Sequence, residues 1–234
     1  MKIKSLSVFF PAYNEEGNIK NTVIKSKAVL LKYVENWEII IVNDGSTDNT
    51  KKISEELSSE DKRIRVINHE VNRGYGASLK SGFYNAKYPW IIFTDSDGQF
   101  DFSEINLFFE KQQETNADLI IGYYKKRQVS KFKIITSRMW EIAVMILFGL
   151  HVHDIDCGFK LVSKKVINRI PTLESERGAF ISSEFLIKAK KSGFKIVEIS
   201  VTHLPRVQGK GTGRNVKVIL QSFVDLFRLW RKLR

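Results

Sequence analysis

The feature that most constrains the fold is an alternation that runs through the first half of the chain. Five short apolar runs, residues 6–11, 38–43, 64–68, 90–94 and 119–122, are separated by segments of helical period or composition at residues 18–33, 47–59, 76–86 and 102–114. Each run is rich in β-branched and aromatic residues and bounded by turn formers, as buried strands are. Strands apolar throughout must be covered on both faces, and the intervening helices supply the cover. The pattern therefore predicts an α/β fold with a mostly parallel central sheet between helical layers. In open α/β sheets ligands bind beyond the carboxyl ends of the strands, so the residues that follow each run are the candidate functional residues.

After residue 122 the pattern changes. A basic segment without acids, residues 125–138, leads into an amphipathic stretch at 139–150 and a turn at 151–156. A strand at 158–163, a helix at 182–191 and a strand at 195–201 follow, and the chain ends in a helix-like run at 216–233. There is no internal repeat or low-complexity linker. A chain of 234 residues suffices for one good core, which predicts one domain over residues 1–214 with a basic amphipathic C-terminal helix at 215–234.

Composition narrows the partners. The net charge of +12 is unevenly placed: residues 1–121 carry a net −3 and residues 122–234 a net +15, so the back half calls for an anionic partner such as phosphate, an anionic membrane surface or nucleic acid. The single cysteine, Cys157, excludes an intramolecular disulfide, points to a reducing, cytoplasmic compartment, and itself reads as a small buried residue. The longest apolar candidate, residues 139–150, is too short to span a bilayer and is interrupted by Glu141. The first residues lack the layout of a signal peptide.

The fourth run, Trp90-Ile91-Ile92-Phe93-Thr94, breaks into Asp95-Ser96-Asp97-Gly98-Gln99. Two carboxylates one residue apart on a strand end repel each other, and the usual remedy is a hard divalent cation, Mg²⁺ or Mn²⁺. The bland alternative is an acidic solvated turn. The first run ends in Pro11-Ala12-Tyr13-Asn14-Glu15-Glu16 and the second in Asn43-Asp44-Gly45-Ser46-Thr47-Asp48. If the strands are parallel, all three ends meet at one electronegative edge, suited to a cation or ribose hydroxyls. Taken alone, Asp44 reads as a turn residue, with Ser46 or Thr47 able to cap the next helix. Asn72-Arg73-Gly74-Tyr75-Gly76-Ala77 lacks the full dinucleotide fingerprint and follows the wrong strand for one; its glycines read as a close turn into the next helix.

These motifs, with Asp154-Ile155-Asp156-Cys157-Gly158-Phe159-Lys160, resemble in order those of the family 2 glycosyltransferases of GT-A fold. More narrowly, they are similar to the dolichyl-phosphate mannose synthase-like, or polyprenyl-phosphate glycosyltransferase, branch. The resemblance covers residues 5 to about 214. It implies an inverting, metal-dependent transfer of a sugar from a nucleoside-diphosphate sugar (GDP-mannose or a UDP-sugar) to a polyprenyl phosphate, dolichyl or undecaprenyl. It implies further that Pro11, Tyr13, Glu15, Asp44 and Asp95 hold the nucleotide sugar, and that Asp95, Asp97 and Gln99 bind the metal on its diphosphate. Asp154 matches a family acid near the active site. Arg127, Lys133, Ser137 and Arg206 fall where the family binds the acceptor phosphate, Arg206 within a loop Arg206-Val207-Gln208-Gly209-Lys210-Gly211-Thr212 similar to the family's late R-x-x-G-x-S/T. Asp95, Asp97 and Arg206 are then the residues that carry the reaction. Two departures stand out: Tyr124 and Lys133 occupy positions where arginine is common, and lysine replaces a bidentate fork with a point charge.

Two other readings predict different behaviour. With the same fold, the acceptor could be a hydroxyl of a glycan or small molecule, which requires a general base that an anionic lipid phosphate does not. A basic nucleic-acid binder would explain the charge but leaves the acidic edge idle; the expectation is no nucleic-acid partner. Glu184, at the opening of a helix, could face the acceptor but reads rather as favouring the helix N-terminus. In residues 216–234, Ile219, Phe223, Leu226, Phe227, Leu229, Trp230 and Leu233 fall largely on one helical face, which suits either a membrane surface, making the protein peripheral on the cytoplasmic face, or packing on the protein itself. The sequence leaves the oligomeric state open.

Overall fold

The computed structural model describes residues 3–124, 131–176, 178, 180–205 and 216–234, with side chains from residue 136 in the helix that begins at 131 and from residue 221 in the last helix. The five apolar runs are the strands β1 (Ile3–Ala12), β2 (Val34–Asn43), β3 (Ile64–Asn68), β4 (Trp90–Thr94) and β5 (Leu119–Tyr124); two later strands are β6 (Phe159–Ser163) and β7 (Ile196–Val201). They form one sheet in the order β3-β2-β1-β4-β6-β5-β7. Only β6 among the described strands runs antiparallel to its neighbours. β1 and β2 begin earlier than their apolar runs because their ladder extends from Ile3 opposite Val34 to Ala12 opposite Asn43, carrying polar residues such as Lys4 and Asn36 at the far edge.

Helices α1 (Ile19–Tyr33), α2 (Thr50–Glu60) and α4 (Ile105–Thr115) cover one face; α3 (Tyr75–Asn85), α5 (Lys131–Phe148), α6 (Lys164–Arg169), α7 (Phe180–Lys191) and α8 (Val216–Leu233) cover the other. Side-chain alternation along each strand feeds two cores. Val8, Phe10, Ile39, Ile41 and Ile92 pack beneath the first layer with Phe108 and Phe159. Phe9, Ile40, Val42, Ile91 and Phe93 pack beneath the second with Phe83 and Phe185. The Phe9 ring stands edge-on to Phe83 at 5.0 Å and stacks on Phe93 at 5.6 Å, favourable aromatic geometry that joins α3 to β1 and β4.

Three elements depart from the sequence expectation. α5 starts at Lys131, because the lysines, arginine and isoleucines of the basic segment contain no helix breaker and propagate the helix back from its apolar part. α6 is a six-residue helix too short to leave a periodic signal. The C-terminal run is a helix as expected, but its apolar stripe divides: Leu226 and Leu229 are buried, with Trp230 and Leu233 against the same core, while Val224 and Phe227 stay exposed. Packing on the protein therefore claims the inner part of that stripe. No described helix is long and apolar enough to cross a membrane.

Candidate active site

Because β1, β2 and β4 are parallel and in register, their carboxyl ends lie side by side, and the three motifs read from the sequence meet there. The first two loops are knitted together by Asn14, whose amide donates to Ser46 Oγ at 3.0 Å and whose Oδ1 accepts from the Thr47 amide at 2.8 Å. Glu15 donates its amide to Thr50 Oγ1 and accepts at its carboxylate from Asn18 Nδ2. Neither Ser46 nor Thr47 caps α2; Asp48 accepts from the Thr50 amide at 2.9 Å instead. Tyr13, the residue after β1, is 45% exposed.

Asp44 is buried and turned inward. Its Oδ1 accepts from the Arg73 amide at 3.0 Å and lies 2.6 Å from His69 Nδ1, and its Oδ2 accepts from the Gly74 amide at 2.8 Å. The approach of this loop is close: Gly45 has φ +66°, and a Cβ there would lie 2.4 Å from the Asn72 nitrogen, so only glycine fits. Asp44 thus shapes the β3–α3 loop, a role beyond turn formation and one its position alone did not reveal.

Thr94 ends β4, and the chain emerges as Asp95, half-buried, and Asp97, 6% exposed. Ser96 Oγ between them donates to Pro11 O at 2.8 Å and its carbonyl accepts from Thr22 Oγ1, locking the turn to β1 and α1. Asp97 Oδ1 accepts from the Gln99 amide. A cavity of about 170 Å³ opens beside the two aspartates, bordered by Thr22, Lys25, Gly98 and Leu204. Asp154, also buried, lies close enough that its field is felt by the same groups as that of Asp95. Burial first, then Cys157, Asp95, Asp154 and Asp97, raise the Tyr124 hydroxyl far above its ordinary range. Burial pushes the Cys157 thiol up to about 12, consistent with the small buried residue expected there.

Four participants carried no assigned role in the sequence reading. Tyr75 donates its hydroxyl to Asp95 Oδ1 at 3.0 Å. Gly158 packs against the same carboxylate, where a Cβ would lie 2.3 Å from Asp95 Oδ2 and 3.0 Å from Oδ1. Lys160 is fully buried beneath the acids, its ammonium donating to Cys157 O and lying 5.2 Å from the Phe93 ring centroid; burial lowers its pKa, while Cys157, Asp154, Asp156 and Asp95 act in the opposite direction. Tyr124 stacks on Phe100 and meets His203 edge-on at 4.4 Å. That aromatic zipper adds to the paired hydrogen bonds of Gln99 and Leu204, where the Leu204 amide donates to Gln99 O at 2.8 Å and Gln99 Nε2 to Leu204 O at 3.2 Å. The segment that leads into Arg206 is thereby fixed against the aspartate loop as far as residue 205. Arg127, Arg206 and the loop after it lie outside the described residues, as does the side chain of Lys133; Ser137 is half-buried in α5.

Behind the β3–α3 loop runs a strap, residues 172–176, and here Glu184 departs from its expected role. It sits in the second turn of α7, 1% exposed, and accepts from the strap amides of Glu174 and Ser175 at 2.8 Å each and from Lys188 Nζ at 2.6 Å. A helix N-terminal role is excluded because the carboxylate is committed to these partners. The strap in turn accepts the Ala77 amide at Glu176 O, pairs Glu176 with Arg73 and Lys80, and takes Lys232 of α8 on Glu174 at 2.6 Å.

The geometry is that of an acidic, partly enclosed strand-end site, and known proteins share the fold that carries it. The profile of Glycosyl transferase family 2 matches residues 7–170. A dolichyl-phosphate beta-glucosyltransferase of Saccharomyces cerevisiae is 32% identical over 222 residues, covering 84% of this chain and 66% of that protein, so the chain spans just under two thirds of that relative's length. A dodecaprenyl-phosphate galacturonate synthase of Rhizobium johnstonii is 28% identical over 234 residues, covering 98% of this chain and 68% of that one. Among solved structures, glucosyl-3-phosphoglycerate synthase from Mycobacterium tuberculosis, in a complex with Mn²⁺, uridine diphosphate and glucosyl-3-phosphoglycerate, has the same fold with a TM-score of 0.72 at 20% identity, over 96% of this chain and 79% of that one. Matched by that profile over most of its length and built on the GT-A architecture that its strand-end motifs predicted, the chain belongs to the family 2 glycosyltransferases.

Proposed function

We propose that the protein is a metal-dependent inverting glycosyltransferase that moves a sugar from a nucleoside-diphosphate sugar, GDP-mannose or a UDP-sugar, to a polyprenyl phosphate. The observation that carries this reading is the two-way hydrogen bonding of Gln99 with Leu204. It joins the paired aspartates, suited to a metal diphosphate, to the segment that leads into Arg206, suited to an anionic acceptor. The names of the yeast and Rhizobium relatives, both sugar transferases to polyprenyl phosphates, support the acceptor class.

The donor set fits Mg²⁺ or Mn²⁺. Asp95 and Asp97 offer hard oxygen ligands on one turn, and Gly158 leaves Asp95 a cradle that a Cβ would fill. Such an ion usually takes several of its ligands from water and substrate phosphate. Asp95 and Asp97 would hold it, with Gln99 through its carbonyl oxygen. When bound, such an ion supplies Lewis-acid neutralisation of the departing nucleoside diphosphate. Pro11, Tyr13 and Glu15 would line the nucleotide, with Asp44 holding the loop that closes over it. One oxygen of the lipid phosphate forms the new bond to the anomeric carbon as the bond to the diphosphate oxygen breaks on the opposite face. The nucleophile is already anionic, so no side chain need take a proton, and the task of the cations Arg127, Lys133 and Arg206, with Ser137, is to bring two anions together.

Arg206→Ala tests the division of labour. The expected result is a rise in acceptor KM or a fall in kcat of about 10- to 100-fold, the loss of a charge-assisted phosphate contact of roughly 1.5–3 kcal/mol, with donor KM unchanged. A matching loss of donor affinity assigns Arg206 to the donor side instead.

A peripheral position at the membrane follows from the same reading. α5 and α8 pack together through Trp140 and Phe223, and between them leave Met139, Ile142, Ile146, Val224 and Phe227 exposed, with Arg228, Arg231 and Lys232 on the same helix as the last two. A hollow of about 390 Å³ beside α5 has apolar residues Ile142, Met145, Leu150 and Val152 in its lining, together with Arg138, Glu141, His151 and His153. Truncating α8 would also strip Leu226 and Leu229 from the core, so the cleaner variant is Val224→Glu/Phe227→Glu. Co-sedimentation with anionic vesicles is expected to fall about tenfold or more for this variant, from lost burial of roughly 1.5–3 kcal/mol per large apolar side chain. Equal binding by both proteins excludes this face as the anchor.

A further inference from the structure

We propose that Tyr75 is a positioning residue that, with the Gly158 backbone packed against the same group, fixes the orientation of the Asp95 carboxylate for metal binding. The proposal rests on the metal-dependent reading given above. Tyr75 is the first residue of α3, and the two residues before it donate their amides to Asp44 at the end of β2. Since β1 lies between β2 and β4, the three consecutive residues Arg73, Gly74 and Tyr75 arch over the end of β1 and tie the carboxylates of two strands to one loop. The Tyr75 hydroxyl reaches Asp95 Oδ1 at 3.0 Å, while a Cβ on Gly158 would lie 2.3 Å from Oδ2, 2.7 Å from Cγ and 3.0 Å from Oδ1, so the carboxylate fills the space that a side chain there would need.

An aspartate carboxylate turns easily about its last side-chain bond, and a ligand that must meet a metal within a few tenths of an ångström gains from losing that freedom. Here one oxygen is held by a hydrogen-bond donor, while the carboxylate as a whole lies against a backbone that leaves it no room to swing on that side. A phenol serves this purpose well. It is a donor that carries no charge to compete with a cation, and the loop anchored on Asp44 sets its position. The strap behind the loop, through Glu176 O and the Ala77 amide, keeps the first turn of α3 in place.

The test is Mn²⁺ affinity measured without turnover, from the electron paramagnetic resonance signal of free Mn²⁺ during titration in the presence of UDP and, separately, GDP. Tyr75→Phe removes only the donor, and Gly158→Ala puts a methyl where the Asp95 carboxylate lies; each is expected to weaken Mn²⁺ binding about 10- to 100-fold, the usual cost of losing a group that orients a metal ligand. Tyr33→Phe, which removes a hydroxyl from the last residue of α1, at the edge of the sheet remote from the aspartates, is expected to leave it unchanged. In the steady state Tyr75→Phe should raise the Mn²⁺ concentration needed for half-maximal activity and recover most of kcat at saturating metal, a pattern that general loosening of the fold does not produce. Asp95→Asn separates the two levels. If it abolishes Mn²⁺ binding while Tyr75→Phe and Gly158→Ala bind as the parent does, the positioning role is overturned and the metal reading stands. If Asp95→Asn itself binds Mn²⁺ like the parent, the metal reading has failed.

Discussion

Asp97→Asn is expected to reduce sugar transfer by at least about 10²–10³-fold, the scale on which removal of a single preorganised charge-stabilising group is felt, while the protein remains folded. Asp97 is buried at 6% exposure, and its Oδ1 accepts the Gln99 amide, a bond that an asparagine oxygen keeps. The turn is also held independently by Ser96 on Pro11 and Thr22 on Ser96. The substitution therefore removes a charge without removing the loop, and melting should stay within a few degrees of the parent. Partial restoration by excess Mn²⁺ would mean that metal affinity alone was lost. Full activity of the parent protein in EDTA contradicts the metal assignment outright.

The largest effect on stability is expected from Glu184→Gln. The carboxylate and Lys188 are each about 1% exposed and 2.6 Å apart, and Lys188 also donates to Thr172 O. Neutralising Glu184 leaves Lys188 buried with its close carboxylate gone and only Glu174, at 3.5 Å, on the same ammonium, at a cost of up to about 3–5 kcal/mol, which for a chain of this length lowers the melting temperature on the order of 10 °C. The double variant Glu184→Gln/Lys188→Met should recover much of this loss, because the stranded charge goes with its partner. The acid side of the stability curve follows from the same groups. Burial alone would raise the Glu184 carboxyl, but Lys188 and the strap amides outweigh it and hold it below its ordinary 4.5; Glu174 and Glu176 are lowered too, chiefly by Lys232 and Lys80. A carboxyl lowered in the folded state contributes stability that is complete above its unfolded pKa and is lost as the pH falls through the folded value. Melting should therefore be flat above about pH 5 and decline below 4.5, and in Glu184→Gln that decline should be shallower. An unchanged acid slope would show that Glu184 does not contribute to it.

The strands and their chemistry were legible because each signal is local. An apolar run broken by Asp95 and Asp97 marks both a strand and its edge, and parallel pairing does the rest. What the sequence did not carry are the partnerships made across the fold. Asp44 looks like any turn aspartate until the amides of Arg73 and Gly74, about thirty residues later, are found on it. Tyr75 in a glycine-rich loop gives no hint of Asp95. Glu184 at the start of a helix suggests a dipole effect, and its true partners are a strap without periodicity and a lysine one turn on. The C-terminal helix was read correctly as amphipathic, but an apolar stripe alone cannot divide itself between the core, which takes Leu226 and Leu229, and the surface, where Phe227 remains.

The most direct test of the central claim is product identity. The protein is incubated with Mn²⁺ and a panel of UDP- and GDP-hexoses, with a short-chain polyprenyl phosphate as acceptor in one series and the matching polyprenol in another, and the lipids are weighed by mass spectrometry. The expected result is a polyprenyl-phosphate hexose formed from one donor class, absent with the polyprenol and abolished by EDTA. Transfer to the polyprenol or another hydroxyl acceptor with the lipid phosphate untouched, or a phosphate product undiminished in EDTA, would contradict it.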